Sequence, residues 1–140
     1  MELNEFMQKF CALDTEPLKI MNREIKFKGK RTDSKLWITG GYIECSDIKG
    51  NKQYQIVSSV GYHNDVIPET VGQFIGLYDK DGTEIYEGDI LKAGNIKYSC
   101  DFHSGKFILK HGAKSYPISS CDLIEVCGNI HDNPELINNE

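Results

Sequence analysis

Phe74-Ile75-Gly76-Leu77-Tyr78-Asp79-Lys80-Asp81-Gly82-Thr83-Glu84-Ile85-Tyr86-Glu87-Gly88-Asp89-Ile90 is the stretch whose reading decides the fold. Two apolar runs, Phe74–Tyr78 and Thr83–Tyr86, flank Asp79-Lys80-Asp81-Gly82, a tight turn in which Gly82 takes the left-handed position. Glu87-Gly88-Asp89 is a second turn, with an Asp able to accept from the turn's own N–H groups, and it feeds Ile90-Leu91-Lys92. A hairpin followed at once by another turn and strand is β-meander chemistry.

Working outward, the same period of two continues on both sides. Upstream, Ile25, Phe27 and Gly29 alternate with Lys26, Lys28 and Lys30; Trp37, Thr39 and Gly41 alternate with Leu36 and Ile38; and Gln53–Val57 follows a Gly50-Asn51 turn. Downstream, Ile96–Phe102, a His103-Ser104-Gly105 turn, Lys106–Lys110 and Leu123–Ile130 continue the pattern, and Asn133-Pro134-Glu135 starts a short closing turn. Short strands with turns at this spacing predict a mainly β body, a small barrel or sandwich formed by one closed sheet. The first residues differ. Leu3, Phe6, Met7, Phe10 and Cys11 recur at helical spacing, and Asp14-Thr15-Glu16-Pro17 supplies a stop, so the spacing predicts an amphipathic α-helix in an N-terminal extension over 1–20. A helix of about a dozen residues is marginal alone in water, so its apolar face is expected to dock on the body or on another chain.

Composition narrows the function. The chain has 140 residues, 39% hydrophobic and 26% charged, enough for one folded core beyond the leading segment. Sixteen basic residues against twenty-one acidic ones give a net charge of −5, which opposes nonspecific adhesion to nucleic acid or anionic lipid. No apolar stretch is long enough for a membrane helix, and the acidic start Met1-Glu2-Leu3-Asn4-Glu5 does not read as a secretion signal, so a cytoplasmic location is expected. The five cysteines, without short paired spacing, are expected to be reduced.

Four blocks in order resemble the YopX-like family of phage and prophage proteins: Met21–Arg31, Val66–Leu77, Asp79–Gly82 with Glu84–Ile90, and Gly128–Leu136. The resemblance implies a β-rich domain over 21–140, part of it similar to an SH3-like barrel, in a protein carried by bacterial mobile elements. It implies no established activity.

Charge concentrates in one place. Arg23, Lys26, Lys28, Lys30, Arg31 and Lys35 give residues 23–35 a net +4, leaving −9 for the rest. Lysines on one strand face with Phe27 and Trp37 nearby could track a phosphate backbone while rings stack on bases. The plainer reading is a solvated edge strand protected by lysines, and the surrounding acidity favours it.

Other constellations carry less. Cys100-x-x-His103 and Cys121, Cys127 and His131 include zinc-type ligands, but Cys127 lies in the apolar run Ile124–Cys127 and reads as a core thiol, so no metal is assigned. The Asp79–Glu84 turn fails as a calcium loop, because aligning Gly82 at the sixth position puts Leu77 first and Gly88 twelfth. His63, His103, His111 and His131 are scattered, and Glu84, Glu87 and Asp89 read as solvated loop acids rather than a paired-carboxylate site. No catalytic residue and no cofactor are assigned. The expectation is a non-enzymatic interaction module that binds a host or phage macromolecule or itself, with Leu3, Phe6, Met7 and Phe10 as docking residues. The alternatives are nucleic-acid binding through residues 23–35 and a small hydrolase.

Overall fold

The computed structural model describes residues 24–118 and 123–138. The expected helix carrying Leu3, Phe6, Met7 and Phe10, the 1–20 boundary and Arg23 lie outside the described residues. The described residues form eleven strands, a 3₁₀ turn (Pro68–Thr70) and one short helix, α1 (Glu135–Asn138).

The strands are β1 (Phe27–Lys30), β2 (Trp37–Ser46), β3 (Lys52–Val57), β4 (His63–Asp65), β5 (Gly72–Tyr78), β6 (Glu84–Tyr86), β7 (Asp89–Ala93), β8 (Ile96–His103), β9 (Lys106–His111), β10 (Lys114–Pro117) and β11 (Glu125–Asn129). They form two antiparallel sheets, β4-β3-β2-β1-β5-β6 and β10-β9-β8-β7-β11. The mainly β expectation stands, but the single closed barrel does not. Alternation specifies strands, whereas closure also requires the last strand to pair with the first. Here β6 stops after three residues, and the turn at Gly88 passes the chain to a second sheet, so β4, β6, β10 and β11 remain edges.

The turns behave as their residue types dictate. Gly82 (φ +82°) closes the β5–β6 hairpin, with its N–H donating to the Asp79 carbonyl at 3.1 Å. The Asp79 carboxylate accepts from the N–H groups of Asp81 (2.8 Å), Thr83 (2.9 Å) and Val126 (2.9 Å), which ties this hairpin to β11 of the other sheet. Burial works against that charge, but these donors outweigh it and hold the acid below the usual carboxylate range.

Ile75 and Ile85 of the first sheet pack on Leu91, Cys100 and Leu109 of the second, with Ile124 closing the cluster. Each fully buried aliphatic chain contributes roughly 1.5–3 kcal/mol. A smaller apolar contact lies behind β1, where Gly29 leaves room for Val66 and Ile56. The last ladder residues of β2 show another constraint: its first half pairs with β1 (Trp37 with Lys30, Gly40 with Phe27) and its second half with β3 (Gly41 with Val57). Gly72 sits at a still tighter corner, where a Cβ would lie 2.2 Å from the Glu87 carbonyl oxygen.

Candidate functional site

Two features stand out on this scaffold, a polar lattice on the lysine face of β1 and a groove of mixed lining between the sheets, with Gln73 and Lys106 beside apolar side chains. The lattice begins with the pleat of β1, which sends Lys26, Lys28 and Lys30 to one side. Antiparallel pairing places Thr39 opposite Lys28 and Trp37 opposite Lys30, on the same side of the sheet. The carboxylates come from distant segments: Glu84 from β6, Asp89 from the start of β7, and Asp132 from the loop after β11.

Each lysine has its own acid. Lys26 Nζ lies 2.5 Å from Glu84 and 3.3 Å from Glu24. Lys28 donates to Asp89, and its ammonium lies 4.9 Å from the Trp37 ring centre and 5.1 Å from that of Tyr86. Lys30 Nζ is 2.5 Å from Asp132, whose other oxygen accepts from Trp37 Nε1 at 2.8 Å. Asn129 shapes the loop that presents Asp132: its side-chain oxygen accepts from the N–H groups of His131 (3.0 Å) and Asp132 (2.9 Å). The other described candidate bases are partnered locally, Arg31 by Asp33 (2.8 Å) and Lys35 by the Thr32 carbonyl (2.9 Å).

Protonation follows from these environments. Hydrogen bonds from Lys30 and Trp37 hold Asp132 at about 2. The Glu84 carboxylate raises Lys26. Burial pushes Asp89 upward against the pull of Lys28 and of the Tyr86 N–H, which donates to it at 2.8 Å. Burial likewise raises the Tyr86 phenol, which donates to Glu84 at 3.1 Å. His131, beside Trp37 with ring centres 6.0 Å apart, is lowered chiefly by burial.

Asp89 corrects the sequence reading: it is no solvated loop acid but is 2% exposed, at the floor of a hollow of about 510 Å³ that Lys28, Thr39, Glu84, Tyr86 and Asn129 also line. No buried side-chain nitrogen or oxygen among the described residues lacks a partner. Of the zinc-type residues, Cys121 lies outside the described residues, Cys100 is in the core, Cys127 points to the Ile90 carbonyl (3.5 Å) and His131 lies beside Trp37. Among the described residues no three His, Cys, Asp or Glu side chains gather as a metal site. Cys45, Cys100 and Cys127 form no disulfide.

The groove combines apolar and polar side chains. On β8 and β9, Cys100 pairs with Leu109 and Phe102 with Phe107, so both pairs face the core side of the second sheet. The first pair is covered by Ile75 and Ile85. The second runs past that cover: Phe102 is 51% exposed, with its ring 5.1 Å from that of Phe107. With Gln73, Ile75 and Leu77 of β5 and with Ile118, these rings line a groove of about 510 Å³. Sequence reasoning missed it because Phe102 and Phe107 are ordinary strand apolars, and only the sheet-to-sheet offset uncovers them.

Fold and site together define, among the described residues, a mainly β protein of two packed antiparallel sheets, fastened across β1 by lysine–carboxylate pairs and with a groove of mixed lining between the sheets. Residues 9–138 match the family described as YopX protein, and the chain belongs to that family. The match reaches back to residue 9, into the leading segment that precedes the Met21 block. No curated protein matches. Among solved structures, the chain is similar to protein EF1440 from Enterococcus faecalis, at 23% identity and a TM-score of 0.53 over 83% of this chain and 99% of that one. That likeness is one of fold. No helix among the described residues is long and apolar enough to cross a membrane.

Proposed function

We propose that this chain is a non-enzymatic interaction module of the phage and prophage type, working in the bacterial cytoplasm and docking an apolar segment of a host or phage protein in the groove between its sheets. The observation that carries this reading is the division of labour on the surface. Lys26, Lys28 and Lys30 are spent on Glu84, Asp89 and Asp132, while Phe102, Phe107, Leu77 and Ile118 leave some apolar area uncovered. A groove of this size and lining accepts two or three apolar side chains of an incoming segment, the anchor arrangement common in peptide recognition. Nucleic-acid binding is weakened as an alternative, because Lys26, Lys28 and Lys30 would have to break their carboxylate pairs before meeting phosphate.

The test compares capture from host cells by the natural chain and by Leu77→Lys, a change at a half-buried rim position, with thermal melts confirming that both fold. A protein retained by the first and lost by the second supports the docking reading. Identical capture by both refutes it. Salt-sensitive anisotropy change with a fluorescent single-stranded oligonucleotide, unaffected by Leu77→Lys, would favour the basic segment instead.

A further inference from the structure

The lysines of β1 are matched to acids, whereas those of the second sheet are not. Residues 90–118 carry five lysines against a single acid, Asp101, a net +4 as large as that of residues 23–35. The strand register places three of these lysines on one side of the sheet. Lys92 lies directly opposite Lys97, and Lys110 lies opposite Ser99, two residues along from Lys97. This side faces away from Leu91, Cys100 and Leu109, which alternate into the core. None of the three lysines forms an ion pair among the described residues. Glu125, opposite Lys92, instead lies 3.5 Å from Lys80. Like charges directly opposed on neighbouring strands, with Cβ atoms about 4.5–5.5 Å apart, repel and weaken the pairing; the diagonal neighbour stands about 7–8 Å away. Lys92, Lys97 and Lys110 form such a set, and an anion laid across them relieves the repulsion.

The surface beside them is hollowed. Lys97, Ser99, Lys110 and His111 line a depression of about 320 Å³ that Ile137 of α1 walls on one side. A second depression, of about 300 Å³, adjoins it at Asp101, Lys110 and Gly112 and extends to Ser115, which lies opposite Lys110 on β10. We propose that this face of the second sheet binds the phosphate backbone of nucleic acid without regard to sequence, with Lys92, Lys97 and Lys110 each meeting a phosphate and the hydroxyls of Ser99 and Ser115 donating between them. Ammonium and hydroxyl donors are the usual partners of phosphate oxygens. The chain's two arginines, Arg23 and Arg31, precede these strands in sequence, which takes away the commonest reader of base edges and leaves backbone contact. The proposal goes beyond groove docking and is separate from it, since Phe102 and Phe107 lie on the other side of the same sheet.

Fluorescence anisotropy of a labelled oligothymidylate of about 20 nucleotides, titrated with the full chain, tests this. Three phosphate contacts to a single strand give a slope of about −2 in log K against log salt, so binding should weaken roughly 20-fold between about 50 and about 200 mM salt. Lys97→Glu/Lys110→Glu should abolish it. Lys49→Glu/Lys52→Glu makes the same change in net charge on the exposed β2–β3 hairpin and should leave binding within about threefold. Urea melts check that both variants fold; if the glutamates disrupt the sheet, Lys97→Gln/Lys110→Gln should flatten the slope to about −0.7. No anisotropy change at about 50 mM salt, or equal loss in the two charge-reversed variants, overturns the proposal. Binding that survives Lys97→Glu/Lys110→Glu belongs to residues 23–35 and overturns it as well. So does displacement of the oligonucleotide by poly-glutamate at equal charge, which would assign the face to an acidic polypeptide. Loss of protein capture in Leu77→Lys bears on the groove alone, so the two readings fail separately.

Discussion

Replacing Lys28 by Met keeps the length of the side chain and removes its charge, leaving Asp89 as an acid with 3% side-chain exposure and only the Tyr86 N–H to answer it. Removing one partner of a buried pair costs about 3–5 kcal/mol. Lys28 is 16% exposed, so some water reaches the site and the lower end, about 3 kcal/mol at pH 7, is expected. The sign of the pH dependence follows from Asp89. Its folded-state pKa already stands above the ordinary value through burial, and loss of the ammonium raises it further. A raised acid pKa means that the folded state holds the proton more tightly than the unfolded chain, so the variant regains stability as pH falls and protonates Asp89. The cost of Lys28→Met should shrink by at least about 1 kcal/mol between pH 7 and pH 4.5, each unit of pKa being worth about 1.4 kcal/mol. Urea unfolding followed by fluorescence of Trp37, the chain's one tryptophan, measures this at both pH values. Adding Asp89→Asn should recover much of the loss, giving a coupling energy above about 1 kcal/mol in a double-mutant cycle. A cost below about 0.5 kcal/mol, or one that does not change with pH, would refute the claim that the pair is a buried electrostatic fastening.

Asp132→Asn removes the negative charge and one of the two oxygens that accept from Lys30 and Trp37; the depression of Asp132 from 3.8 to about 2 contributes stability that is complete above about pH 4 and lost as pH falls toward 2. Because this side chain is a third exposed, the expected loss at pH 7 is about 1 kcal/mol, with a flatter acid limb in urea titrations. Gly72→Ala drives a methyl into the Glu87 carbonyl and should cost more than about 3 kcal/mol or abolish folding, read from the yield of folded protein and its melting temperature. Asp79→Ala orphans three N–H groups that join the β5–β6 turn to β11; a loss of about 2–4 kcal/mol, with faster amide exchange at Val126, is expected by hydrogen-exchange NMR.

Much of this architecture can be read in the residues themselves. Gly82 and Asp79 mark the β5–β6 hairpin, and the alternation over Ile96–Lys110 marks β8 and β9, because turn chemistry and pleat periodicity are local properties. β4 and β10 escape such reading: His63-Asn64-Asp65 and Lys114-Ser115-Tyr116-Pro117 are short, polar edge strands defined by what they pair with. The division into two sheets is equally nonlocal, since nothing within Glu87-Gly88-Asp89 says that β7 leaves β6 to pair with β8 and β11. At the lattice, the lysines are visible as a charge cluster. Their partners are not, because Asp89 and Asp132 meet Lys28 and Lys30 across 61 and 102 positions of sequence. The family blocks at Glu84–Ile90 and Gly128–Leu136 were the available signal, since they contain these acids.

The clasp of Lys30 and Trp37 by Asp132 also has a consequence for biosynthesis. Lys30, in the first described strand, finds its counter-charge in one of the last loops to be synthesised. A nascent chain halted before residue 132 therefore already holds the acids of Lys26 and Lys28 but leaves Lys30 and the Trp37 indole without their shared acceptor, so this last fastening of the sheet must await the end of synthesis, tying completeness of translation to completeness of the fold.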